Sequence, residues 1–152
     1  MKMKKFLTLG LAAIMAVSMV GCVNQHPEEA NGTAASSDDV RIVATSPATA
    51  DICDRLELDL VGVCSSTLST IPERYKDVTQ IGTAMSPDLE ILKSLKPDYV
   101  LSPSSLQSDL QPKYESIGVN SIFLNLKSVE GMYASISDLG QKFDREEQAQ
   151  AL

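Results

Sequence analysis

From Arg41 onward the chain alternates short runs that are apolar throughout with longer stretches whose apolar residues recur every three or four positions. "RIVATS" (Arg41 to Ser46), "LVGVCS" (Leu60 to Ser65), "DYVLSPS" from Asp98 and "NSIFLN" (120–125) are the apolar runs, and they predict four strands. Between them, "PATADICDRLEL" spaces Ile52 and Leu56 at helical intervals, and Leu89, Leu92 and Leu95 share one helical face that Lys96-Pro97 terminates. A third helix is predicted over Leu110 to Ile117, ended by Gly118, and a fourth from Ser128 to Leu139; a polar loop with Pro72 and Tyr75 follows the second strand. Strands without polar alternation, separated by helices, imply an α/β fold: a parallel sheet with helices on both faces. Ligands of such sheets bind beyond the carboxyl ends of the strands, so the loops Thr45 to Thr49, Ser65 to Thr67 and Ser102 to Ser105 should share one rim. All three are rich in Ser and Thr.

The second helix opens in "TQIGTAMSPDLEILKSLKPDYV" (Thr79 to Val100). Ser86 reads as its N-cap, Pro87 as the first helical residue, and Asp88 and Glu90 as acids near the positive end of the helix dipole. Met85 would then precede the cap, where an apolar side chain staples against the fourth helical residue; that residue is Glu90, so the staple lacks a partner. Met85 is left either to pack against something more distant or to be presented at the helix mouth for another purpose.

The ends of the chain read differently. Residues 1–21 carry Lys2, Lys4 and Lys5, then an apolar run from Phe6, as in a secretory signal. Met19-Val20-Gly21-Cys22 resembles a bacterial lipobox, which implies lipidation of Cys22. Residues 22–40 are small, polar and aperiodic, a flexible tether whose His26, the single histidine of the chain, reads as solvated. "FDREEQAQAL" begins a helix near Asp144, with Glu147 completing a near-capping box, and runs to Leu152 without a stop signal, which suggests a fragment.

Charge and cysteines narrow the classes. The 13 Lys and Arg fall to 10 once the three signal lysines leave, against 20 Asp and Glu, a formal −10. That balance argues against nucleic acid and against a polybasic membrane contact. Cys53 falls in a predicted helix and Cys64 at the end of a predicted strand; they read as two buried thiols, with a disulfide as the alternative. Neither lies in a CxxC or His-bearing metal pattern. The absence of a Gly-rich phosphate loop and of a histidine for a catalytic triad argues against an enzyme.

"RIVATSPATADICDRLELDLVGVCSST", "GTAMSPDLEILKSLKPDYVLS" and "YESIGVNSIFLNLKSVEGMYASISDLG" resemble the substrate-binding lipoproteins of ABC importers for haem, siderophores and cobalamin, over Arg41 to Leu152. "GTAMSPDLE" points to the haem branch, the haem-receptor lipoproteins of iron-regulated surface determinant systems. The resemblance implies two α/β lobes joined by a long helix with ligand in the cleft between them. Residues 41–143 are similar to the N-terminal lobe and 144–152 to the start of the interlobe helix, with the C-terminal lobe absent. By the same resemblance, Met85 is an axial ligand of haem iron, and the second ligand, a histidine, would lie beyond Leu152. A thioether suits haem iron and raises its reduction potential. Ser46, Ala48 and Thr49, with Ser65, Ser66 and Thr67, are candidates for the propionates, through helix N–H groups and hydroxyls; the same residues also read as ordinary caps and turn formers. Glu90 matches the glutamate that pairs with arginine on the membrane permease. The protein is thus expected on the outer face of the cytoplasmic membrane, anchored through Cys22 and handing haem to an ABC permease. The alternatives are a siderophore or cobalamin receptor, with Met85 a packing residue, and an inactive remnant.

Overall fold

The computed structural model describes residues 39–152; the expected signal segment, Cys22 and His26 lie outside the described residues. Six strands and five helices follow in order: β1 Ile42–Ala44, α1 Pro47–Arg55, β2 Leu60–Val63, β3 Gly82–Thr83, β4 Ser86–Pro87, α2 Leu89–Leu95, β5 Tyr99–Pro103, α3 Gln107–Ser116, β6 Ser121–Leu124, α4 Val129–Lys142 and α5 Glu146–Gln150. The main sheet has the order β2-β1-β5-β6, with every neighbouring pair parallel. The expected α/β architecture is therefore present, with β3 and β4 added as a small antiparallel hairpin.

Strand alternation divides the core into two layers. Ile42, Ala44 and Leu101 join Ala50, Ile52 and Cys53 of α1, Leu56 at its C-cap, and Ile136 and Leu139 of α4 on one face. Val43 and Val100 join Leu92 of α2 and Leu110 and Tyr114 of α3 on the other. Successive side chains of a strand point to opposite faces, so two central strands supply both layers. Gly62 of β2 leaves room for the second layer: a Cβ there would stand 2.8 Å from Leu95 Cδ1 and 3.0 Å from Ile81 Cγ2.

Several expectations are corrected. Tyr75 was expected in a polar loop; it is only 2% exposed, and its hydroxyl donates to the Leu58 carbonyl at 2.6 Å, so the loop is pinned to the core by a buried aromatic with a satisfied polar end. Val40, expected at the end of the tether, packs against the first layer. The third helix begins three residues before Leu110, out of a 3-10 turn at Ser104–Leu106. Asp144 does not cap the last helix. Its backbone takes φ 55°, which breaks the chain between α4 and α5; Arg145 holds the cap position, its guanidinium donating to the Asp144 carbonyl at 3.0 Å rather than capping the helix. The Arg145 N–H donates to the Gly140 carbonyl at 2.7 Å, and a Cβ on Gly140 would stand 2.7 Å from Ala149 Cβ, so α5 folds back tightly on α4.

Candidate functional site

Parallel strands place their carboxyl ends on one edge, and the three Ser/Thr loops meet there as expected. At the centre, where the chain leaves β1 toward one neighbour and β5 lies on the other side, the order of the strands reverses, which is where such sheets open a crevice. Thr45 and Ser102, both 0% exposed, close that position: Thr45 Oγ1 donates to the Leu101 carbonyl at 3.2 Å and lies 2.8 Å from Ser102 Oγ, which lies 3.1 Å from the Tyr114 hydroxyl. With the Thr45 proton on Leu101, one proton per hydroxyl orders the chain: Tyr114 donates to Ser102, and Ser102 to Thr45. Burial pushes the Tyr114 hydroxyl above its ordinary pKa, so it remains a donor at neutral pH.

The start of α1 is equally closed. Ser46 and Thr49 form a reciprocal capping box: the Thr49 N–H donates to Ser46 Oγ at 3.1 Å and the Ser46 N–H to Thr49 Oγ1 at 3.0 Å. Both side chains are buried, and the Thr49 hydroxyl donates back to the Ser46 carbonyl at 2.9 Å. Pro47 has no N–H and the Ala50 N–H is bonded to the Ser46 carbonyl. Of the residues 46–49, exposed Ala48 therefore carries the first-turn N–H that these cap bonds do not use.

The edge beyond β2 is open. Ser65 donates its N–H to the Gly82 carbonyl at 2.7 Å, the Val63 N–H donates to the Thr79 carbonyl and the Ile81 N–H to the Val63 carbonyl, and the hairpin thereby hangs from the end of β2. Ser86 is not the cap of α2. It pairs with Thr83 in the hairpin, and Asp88 caps the helix, its carboxylate accepting from the N–H groups of Glu90 and Ile91 at 3.0 Å each. The physical reason is that Pro87 pushes the preceding Ser86 into extended backbone, which the ladder uses, while the longer reach of the Asp88 carboxylate covers two orphan donors. Gly82, at φ 91°, is required here: a Cβ would meet the Ser86 carbonyl at 2.9 Å. Shifting the cap also supplies the missing staple positions, since Pro87 and Leu92, before the cap and at the fourth helical residue, are both buried.

Met85 is consequently in the two-residue turn of the hairpin, 75% exposed. Glu90 is exposed at the second position of α2. Ser66 Oγ accepts from the N–H groups of Leu68 and Ser69 at 3.3 and 3.1 Å, while Ser65 and Ser66 are half-buried and Thr67 is exposed. Cys53 and Cys64 are free and buried; burial lifts their thiols to about 12 and about 11, so neither is a nucleophile at neutral pH. Among the described residues no group of three or more His, Cys, Asp or Glu is arranged to hold a bare metal ion. Thr45, Ser102 and Tyr114 were not foreseen as a unit; the Ser/Thr enrichment of the loops was the available signal, and it could not say which hydroxyls are buried.

Residues 42–152 match the family model described as periplasmic binding protein. The chain is 37% identical over its 152 residues to the high-affinity heme uptake system protein IsdE of Staphylococcus aureus strain Newman, covering 50% of that protein. It thus spans about half the length of the curated relatives it matches. Among solved structures, an ABC transporter substrate-binding protein from Listeria monocytogenes EGD-e aligns at 45% identity with a TM-score of 0.72, covering 74% of this chain and 43% of that one. S. aureus IsdE complexed with heme aligns at 41% identity with a TM-score of 0.71 over the same shares.

Proposed function

The chain belongs to the periplasmic binding protein family, and from that premise we propose that it is the N-terminal half of a haem-binding lipoprotein that delivers its ligand to the permease of an ABC importer. The observation that carries the reading is Met85, a large apolar side chain held 75% exposed on a hairpin whose backbone is tied to the carboxyl end of the sheet. A single thioether cannot hold a bare ion; it suits a metal that arrives with most of its ligands, as haem iron does. The likeness to IsdE, whose solved structure holds heme, points the same way.

In this reading Met85 Sδ fills one axial position of the iron. The macrocycle lies across the open edge beyond β2, and its propionates take the Ala48 N–H and the polar atoms of Ser65, Ser66 and Thr67. Ser46 and Thr49 act indirectly, by holding the α1 turn that presents Ala48. Glu90, exposed on the first turn of α2, offers a carboxylate to a cationic group of the permease. Cys22 carries the lipid that keeps the protein at the outer face of the membrane.

Titration of haemin into the protein, followed at the Soret band with a ferric siderophore as competitor, tests the reading. Saturation at one haem per chain that the siderophore does not displace is expected. A Soret band unchanged from free haemin, or displacement by stoichiometric siderophore, contradicts it.

A further inference from the structure

Leu68 is 96% exposed, more than any other large apolar side chain described, and Met85 at 75% is next. Both hang from the same end of β2. The Ser65 N–H to Gly82 carbonyl bond joins their segments, and each tip lies three residues from that bond, within about 10 Å of chain. Nothing in the loop itself calls for leucine: the turn is made by Ser66 Oγ accepting from Leu68 and Ser69 N–H, a job indifferent to the side chain at 68. Residues 66–71 line an open concavity of ≈460 Å³. An isolated apolar residue in the polar run "SSTLST" thus stands in solvent on a turn closed by hydrogen bonds.

We infer that Leu68 is a second ligand contact beside Met85, packing against the face or edge of a large, flat, mostly apolar macrocycle and selecting it over hydrophilic iron chelates. The inference rests on the haem reading above and deepens it. The two side chains divide the task by chemistry. Met85 makes a directional bond that requires a metal, whereas Leu68 contributes area removed from water, which is blind to the metal. Leu68 therefore acts equally on haem and on metal-free protoporphyrin.

Titration of the protein and of Leu68→Ser, Leu68→Met and Met85→Ala with haemin and with metal-free protoporphyrin IX, by Soret absorbance and porphyrin fluorescence, separates the roles. Leu68→Ser should weaken both ligands about tenfold with the Soret maximum of bound haem unmoved, and Leu68→Met should restore most of the affinity. Met85→Ala should weaken haem alone. Parent-like binding of both ligands by Leu68→Ser overturns the inference and leaves the haem reading standing. If the parent binds neither ligand, the haem reading fails and this inference with it.

Discussion

The carboxyl edge of the sheet is built in two ways. Over β1 and β5 its hydroxyls are buried and spent on one another: Thr45, Ser102 and Tyr114 form one chain, and Ser46 and Thr49 a reciprocal cap. Beyond β2 the backbone is equally well bonded, yet the side chains it carries outward, Met85 and Leu68, are large, apolar and exposed. Hydroxyls in a parallel sheet's rim are therefore poor guides to a ligand site when they complete the local structure. Apolar groups that complete nothing are better ones, because they add little to the fold yet gain free energy when a ligand removes their area from water.

The largest effect on stability should come from the closed side. Ser102→Ala removes the acceptor of the buried Tyr114 hydroxyl and the donor to Thr45. Urea unfolding should show a loss of about 1–3 kcal/mol, with haem affinity within about twofold of the parent. A large loss of affinity at unchanged stability would erase the distinction between the two regions.

Asp88→Ala comes next and should cross the boundary. It uncaps α2 at a cost of about 1 kcal/mol, and the backbone N–H of residue 88, which alanine keeps, ties that frayed helix start to the hairpin base through the Ile81 carbonyl at 2.7 Å. Backbone hydrogen exchange at Gly82, Thr83 and Met85 should speed up together with a several-fold loss of haem affinity.

Alkaline titration probes the core beneath both. Free thiols titrate near 9.0, but the buried Cys53 and Cys64 hold their protons to about 12 and about 11. The unfolded chain releases those protons first, so this contribution to stability is complete below pH 9 and is lost as the pH rises through 11 and 12. Thermal midpoints should fall across that window, less steeply in Cys53→Ala. The smallest stability change belongs to the open side: Met85→Ala and Leu68→Ser should each alter unfolding by no more than about 0.5 kcal/mol.

Much of this was legible in the sequence, unevenly. Four unbroken apolar runs sufficed for the parallel sheet, because a strand buried on both faces tolerates little polarity. The cap of α2 was misplaced because "SPD" offers two acceptable caps two residues apart. What decides between them is the hairpin just upstream: Pro87 holds Ser86 extended, and Gly82 admits the close approach that lets Ser86 pair as a strand. The same shift turned Met85 from a residue before a helix into the tip of a hairpin, so its exposure could not be read from helix rules. Tyr75 was missed because one aromatic in a polar loop has no period. Which Ser and Thr are buried depends on packing across β1, β5 and α3, distant in sequence, and leaves no local signature.

The most direct test of the central claim compares the parent with Met85→Ala in a haem titration, reading the Soret maximum and the affinity together. Since the side chain supports no part of the fold, the variant should fold as the parent does, bind haem at least tenfold more weakly and show a shifted Soret band. Superimposable spectra and equal affinity would contradict the assignment of Met85 to the iron.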